Sequence, residues 1–154
     1  MKQSLADALT QRGYETLTPV QEAVTDPALE GQDLLVSAQT GSGKTVGFGL
    51  ALGTTLLGDG ESFDPANAPL ALVIAPTREL AMQVKRELAW LYEKAGVVMA
   101  SCVGGMDMRD ERRALDRGAH IVVATPGRLR DHIMRGSINL ESIRGVVLDE
   151  ADEM

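Results

Sequence analysis

The chain of 154 residues contains a single cysteine, Cys102. One thiol forms no internal disulfide, and with no Cys or His beside it at ligand spacing it offers no structural zinc site; a small buried apolar residue is its expected role. Bases are scarce too: 15 Lys+Arg against 22 Asp+Glu leave a net charge of -7. That deficit excludes a protein whose whole surface holds nucleic acid by bulk charge, but it leaves room for a local site. No apolar run approaches the roughly 18 residues that a membrane span needs. Met1, Lys2, Gln3 and Ser4 lead into a mixed helical pattern rather than an apolar signal core. A soluble, cytoplasmic protein with no membrane partner is expected. Aromatic residues make up only 3%. Trp90 and Tyr92 fall within a helical pattern and read as packing or surface residues, not as a base-stacking platform. His120 and His132 have no metal partner at ligand spacing and read as structural.

What is present is an ordinary globular composition, 44% hydrophobic and 24% charged, enough for one domain with a real core. Short β-branched runs at Leu34–Ala38, Leu70–Ala75, Val97–Val103, Ile121–Ala124 and Val146–Leu148 read as fully buried strands. Helical patterns fill the gaps. In residues 78–95, Leu80, Val84, Leu88, Leu91 and Ala95 recur at helical spacing, with Thr77 to cap the start and Gly96 to end it. A second helix runs from about Ser4 to Arg12 and stops at Gly13. The Gly/Pro/Asp-rich stretch 58–69 reads as a loop. This alternation predicts an α/β fold, a mostly parallel sheet with helices on both faces, in which ligands meet the carboxyl ends of the strands.

Charge is unevenly spread. Residues 103–135 hold seven bases against five acids, and all seven are arginines, the residue suited to forked phosphate contacts. The interleaved Asp107, Asp110, Glu111, Asp116 and Asp131 equally allow a solvated helix face of ordinary ion pairs.

Two stretches carry chemistry. The first predicted strand runs into Gln39, Thr40, Gly41, Ser42, Gly43, Lys44 and Thr45, and then into a helical pattern over 46–57. Glycines at 41 and 43 let successive N–H groups turn inward around a phosphate, Lys44 reaches the outer phosphates, and Thr45 offers a hydroxyl to Mg²⁺. An ordinary Gly-rich turn with a solvated lysine is the alternative. The last strand ends in Asp149 and Glu150, where a P-loop protein holds its metal and its attacking water; Asp149 would hold Mg²⁺ and Glu150 would orient or deprotonate the water. Acids answering a helix dipole would look the same.

Taken together, the motifs resemble those of the DEAD-box ATP-dependent RNA helicases, specifically their first, N-terminal RecA-like domain. Ala38–Thr45 (AQTGSGKT) resembles motif I, Asp149–Asp152 spells DEAD, and Pro76–Ala81 matches PTRELA. Gly104 and Gly105 match the GG motif, and Thr125–Arg128 matches TPGR. Gly13–Gln21 is similar to the Q motif. The resemblance implies a RecA-like P-loop NTPase fold over residues 1–154 that binds ATP and Mg, with Gln21 reading adenine and Tyr14 stacking on it. Lys44, Asp149 and Glu150 are the implied catalytic residues. It further implies RNA contact through Pro76, Thr77, Arg78, Gly104, Gly105, Thr125, Gly127 and Arg128, made to phosphate and sugar and so insensitive to sequence. Without the resemblance, Gln21 reads as a surface residue and Tyr14 as a core one. The domain is expected to be incomplete after the DEAD tetrad and to work with a second RecA-like domain. The other readings are a nucleotide and RNA binding module without turnover, or a different P-loop ATPase or translocase.

Overall fold

The computed structural model describes residues 3–11, 44–57, 62–65, 67–105 and 107–149. The expected strand Leu34–Ala38 lies outside the described residues, as do Tyr14, Gln21, Gln39 to Gly43 and Glu150. The chain divides into two compact units: residues 1–63 with 87–96, and residues 64–86 with 97–154.

The first unit is helical where it is described. Helix α1 (Gln3–Gln11) buries Leu5, Ala8 and Leu9, the i, i+3, i+4 stripe of an amphipathic helix. Helix α2 (Lys44–Leu57) starts where the glycine-rich turn was expected to hand over to a helix, and it buries Phe48, Leu50, Leu52, Leu56 and Leu57. Tyr92 is fully buried, donates its hydroxyl to the Gly49 carbonyl, and meets Phe63 edge to face with ring centroids 5.9 Å apart. Burial pushes its phenol well above the usual tyrosine range. The packing role expected for Tyr92 holds.

The second unit is built on a parallel sheet of four strands: β1 (Ala71–Ile74), β2 (Met99–Cys102), β3 (Ile121–Ala124) and β4 (Gly145–Leu148), in the order β2-β3-β1-β4. Between them run α3 (Arg78–Leu91), α4 (Met108–Arg117) and α5 (Pro126–Arg135). Leu72, Val122, Ala100 and Cys102 pack with Leu115 of α4, Leu129 of α5 and Ile138 in one apolar cluster. β3 is buried at all four positions, as a central parallel strand requires.

Two expectations need correction. Helix α3 ends at Leu91, short of the expected residue 95; a 3-10 turn follows at Glu93–Ala95, and it is this turn that Gly96 caps, at φ 77°. Strand β4 was expected to be fully buried, yet Val146 and Leu148 are 56% and 57% exposed. Alternate side chains of a strand share one face of the sheet, so Val146 and Leu148 project together from the face of β4 that is left open, while Val147 projects from the other. No helix among the described residues is long and apolar enough to cross a membrane.

Candidate nucleic-acid interface

The register of the sheet decides where the candidate residues emerge. Ile74 pairs with Ala124 and with Leu148, and Cys102 pairs with Ala124, so the four strands end level. Because all run the same way, the segments after them leave from one edge of the sheet. The ladder continues one residue further: Ala75 N–H donates to Ala124 O at 2.9 Å, Thr125 N–H to Cys102 O at 3.1 Å, and Asp149 N–H to Ile74 O at 2.8 Å. Neighbouring parallel strands lie about 4.8 Å apart, so the edge from β2 to β4 spans roughly 14 Å. Along it, in spatial order, come Gly104–Gly105, Thr125–Arg128, Pro76–Arg78 and Asp149. Stretches far apart in sequence, from Pro76 to Asp149, are thus gathered in one row.

Both arginines of that row reach the Gly-Gly turn. Gly104 and Gly105 have φ of 78° and 71°, a left-handed conformation that side chains with a Cβ enter at a cost of about 1–2 kcal/mol. A Cβ on Gly105 would lie 2.1 Å from Nη1 of Arg78, and one on Gly104 would lie 3.6 Å from Nε of Arg128. The turn therefore needs glycine for its backbone, and Arg78 occupies the space that a side chain on Gly105 would take. Gly127 differs: it is exposed on the first turn of α5, and a Cβ added there meets nothing within 4 Å. Nothing within the described fold requires a glycine at that position.

Thr77 caps α3 as expected, its Oγ1 accepting from Leu80 N–H at 3.2 Å. Thr125 occupies the same place on α5, with Pro126 beside it, but makes no side-chain cap bond. Helix α4 has a cap that local reading passed over: Asp107 accepts from Arg109 N–H at 2.9 Å. Asp107 is thus a capping residue, while Asp110 pairs with Arg113 on the exposed face, 3.6 Å apart, as expected.

Glu111 departs furthest from expectation. Its place among alternating charges reads as solvated, yet it is 1% exposed. Its Oε2 accepts from Val103 N–H at 3.0 Å, and its Oε1 lies 2.9 Å from His132 Nε2 and 3.5 Å from Arg128 Nε. The Nδ1 of His132 is buried without a hydrogen-bond partner, which assigns the ring proton to Nε2, where it donates to Glu111. Cys102 completes the cluster, its Sγ, the Glu111 carboxylate and a His132 ring nitrogen lying within 4.8 Å of one another. Spacings of nine and 21 residues match no ligand motif, so the sequence could not announce this grouping. Cation, imidazole and amide already engage the carboxylate, and burial pushes the Cys102 thiol up to about 12, with Glu111 adding to the shift. Such a set favours internal hydrogen bonding over metal capture. Cys102 itself is buried, as expected.

His120 is structural in the expected sense. Its Nδ1 accepts from Val98 N–H at 2.9 Å and its Nε2 lies 2.7 Å from Asp64 O, which ties the start of β2 to residue 64. A cavity of about 620 Å³ lies along β2 and α4, lined by Lys85, Ser101, Asp110, Arg113 and others of mixed charge sign. Asp149 is 5% exposed at the end of β4. A carboxylate taken out of water in this way requires compensation by donors or a cation, and its hard oxygens suit Mg²⁺.

All of these segments lie in the part of the chain that matches a known family. The DEAD/DEAH box helicase model matches residues 18–154. The chain belongs to that family. More closely, it corresponds to the N-terminal RecA-like domain of the DEAD-box family. It is 41% identical over 150 residues to DEAD-box ATP-dependent RNA helicase 9 of Oryza sativa subsp. japonica, covering 97% of this chain and 23% of that protein. It is 43% identical over 155 residues to the ATP-dependent RNA helicase CshA of Limosilactobacillus reuteri, covering all of this chain and 30% of that one. Among solved structures, the RNA helicase Prp28 of Chaetomium thermophilum bound to ADP superimposes with a TM-score of 0.86 at 40% identity, over all of this chain and 37% of Prp28. The DEAD-box domain described here thus spans 23% to 37% of these proteins, and its α/β fold with a parallel sheet is RecA-like.

Proposed function

We propose that residues 1–154 act as the ATP-binding, N-terminal RecA-like domain of an ATP-dependent RNA helicase. The observation that carries the RNA part is the level end of the sheet, where Arg78, Gly104–Gly105 and Arg128 stand side by side. Arginine forks and a glycine turn suit a phosphate chain, since the guanidinium planes engage phosphate oxygens and the bare turn admits close approach. Contacts of this kind read phosphate and sugar, so binding is indifferent to base sequence. Arg78 and Arg128 place positive charge at this edge despite the acidic total.

On the nucleotide side, Gln21 selects adenine and Tyr14 stacks on it. The backbone of Gln39 to Gly43 cradles the phosphates, and Lys44 binds the outer ones. Thr45 and Asp149 hold Mg²⁺, which supplies charge neutralisation on the phosphates when bound. Glu150 orients or deprotonates the attacking water. The start of α2 at Lys44 supports the first part of this reading, because a helix N-terminus following a glycine-rich turn carries inward N–H groups and partial positive charge. The buried carboxylate of Asp149 supports the second. Turnover is proposed to require a second RecA-like domain, which supplies the arginines that complete the ATP site.

The test is steady-state ATP hydrolysis by the intact protein with and without single-stranded RNA. RNA is expected to stimulate turnover; Lys44→Ala abolishes it, and Glu150→Gln binds ATP without hydrolysing it. Equal turnover in both conditions would remove the helicase reading and leave a plain P-loop ATPase.

A further inference from the structure

We infer that Glu111 is a positioning residue for RNA binding: one buried carboxylate that fixes the Gly-Gly turn and Arg128 relative to each other. The inference rests on the reading that these segments meet RNA, and it adds a residue that the helicase motifs do not include. Oε2 takes the N–H of Val103, the residue immediately before Gly104. Oε1 pairs with the Arg128 guanidinium, 3.5 Å from Nε, while His132 Nε2 donates to the same oxygen from the next turn of α5. The three partners come from β2's end and from α5, whereas Glu111 itself sits on α4, so the group is set by tertiary structure alone.

Stability by itself is a weak reason for such a group. A buried carboxylate with a cation seldom outperforms an apolar side chain of the same shape, because both charges must leave water. What the charged cluster does supply is direction. Arg128 keeps 20% of its side chain exposed while Glu111 has none, and the guanidinium lies over Gly104. With Nε held from inside, the fork is fixed at the turn rather than swinging in solvent, and an arginine held in advance loses less freedom on meeting a phosphate. The carboxylate thus acts on RNA through Arg128, without touching it.

The experiment measures equilibrium binding of a fluorescein-labelled single-stranded polyuridine 12-mer to the intact protein. Wild type, Glu111→Gln, Arg128→Ala and the double variant are compared. Glutamine keeps the shape and an acceptor for Val103 but loses the charge on Arg128. Glu111→Gln is expected to raise the half-saturating RNA concentration roughly tenfold, the scale of one charged hydrogen bond. The double variant is expected to bind no more weakly than Arg128→Ala, because the two residues act as one unit. The ATP concentration for half-saturation without RNA should stay within twofold of wild type. A role confined to folding would lower the active fraction but leave half-saturation where it was, and that result overturns the inference. So do losses that multiply in the double variant. Should Glu111→Gln not fold, Arg128→Lys gives the second reading: it keeps the charge but lacks the Nε that Oε1 holds, so it should bind as weakly as Arg128→Ala, and wild-type affinity would overturn the inference. If wild type itself fails to bind RNA, the RNA reading falls and this inference with it; wild-type binding matched by every variant removes the inference alone.

Discussion

Gly127 offers a substitution in which stability and function should move in opposite directions. It is the second residue of α5, exposed, and a Cβ there meets no atom within 4 Å. Alanine therefore fits without a clash, and because it has less chain freedom to lose on folding it favours a helical position by about 0.5–1 kcal/mol. For a chain of this size that is a rise in Tm of up to about 4 °C. RNA binding should respond the other way. If a phosphate chain lies against this turn, a methyl group holds it off and weakens a charged hydrogen bond worth about 1.5–3 kcal/mol, which makes binding roughly 10- to 100-fold weaker. Thermal unfolding and fluorescence anisotropy with labelled RNA measure the two effects on one preparation. A Tm that rises while affinity stays at the wild-type value would show that no ligand approaches Gly127. A fall in both would show that the fold itself needs this glycine.

Gly105→Ala should lose on both counts: the left-handed φ of 71° costs about 1–2 kcal/mol with any Cβ, and Arg78 is displaced from the turn, so Tm falls by several degrees and RNA affinity falls with it. An unchanged Tm in differential scanning fluorimetry would contradict the strain. Cys102, with its thiol pushed up to about 12 by burial and by Glu111, should be inert to maleimide at pH 8 in the native protein and react only when urea unfolds it; rapid native labelling would refute the burial. The sign for stability follows from the same shift. Above its ordinary value of 9.0 the unfolded thiol gives up a proton that the native one keeps, so the Cys102 contribution to stability falls as pH rises from about 9 toward 12, a trend that urea titrations at stepped pH would follow.

Much of the fold was legible because it is written in short-range patterns. Strand β3 matches its β-branched run at both ends, and β1 and β2 fall within theirs. Thr77 caps α3 because a threonine before a helical stripe places its hydroxyl near the N–H groups that the first turn leaves unbonded. Helix ends were less legible. The stripe through Ala95 carries on across the change from α3 to a 3-10 turn, since both geometries keep an apolar residue facing inward. The burial of β4 is not legible for a different reason: apolar residues announce what a strand would bury, while exposure depends on what packs against each face of the sheet.

The alternation of strands and helices, the motifs with their order and the family to which they point are all written in local patterns, because periodicity, caps and glycine turns act over a few residues. It takes the folded sheet to bring Arg78 and Arg128 to one turn, and to bury Glu111, spaced like a solvated acid, against Val103, Arg128 and His132. Those partners lie eight, 17 and 21 residues from Glu111, separations at which no local pattern persists. Strand order and register bring them together, and the cost of burying a charge then requires that they meet.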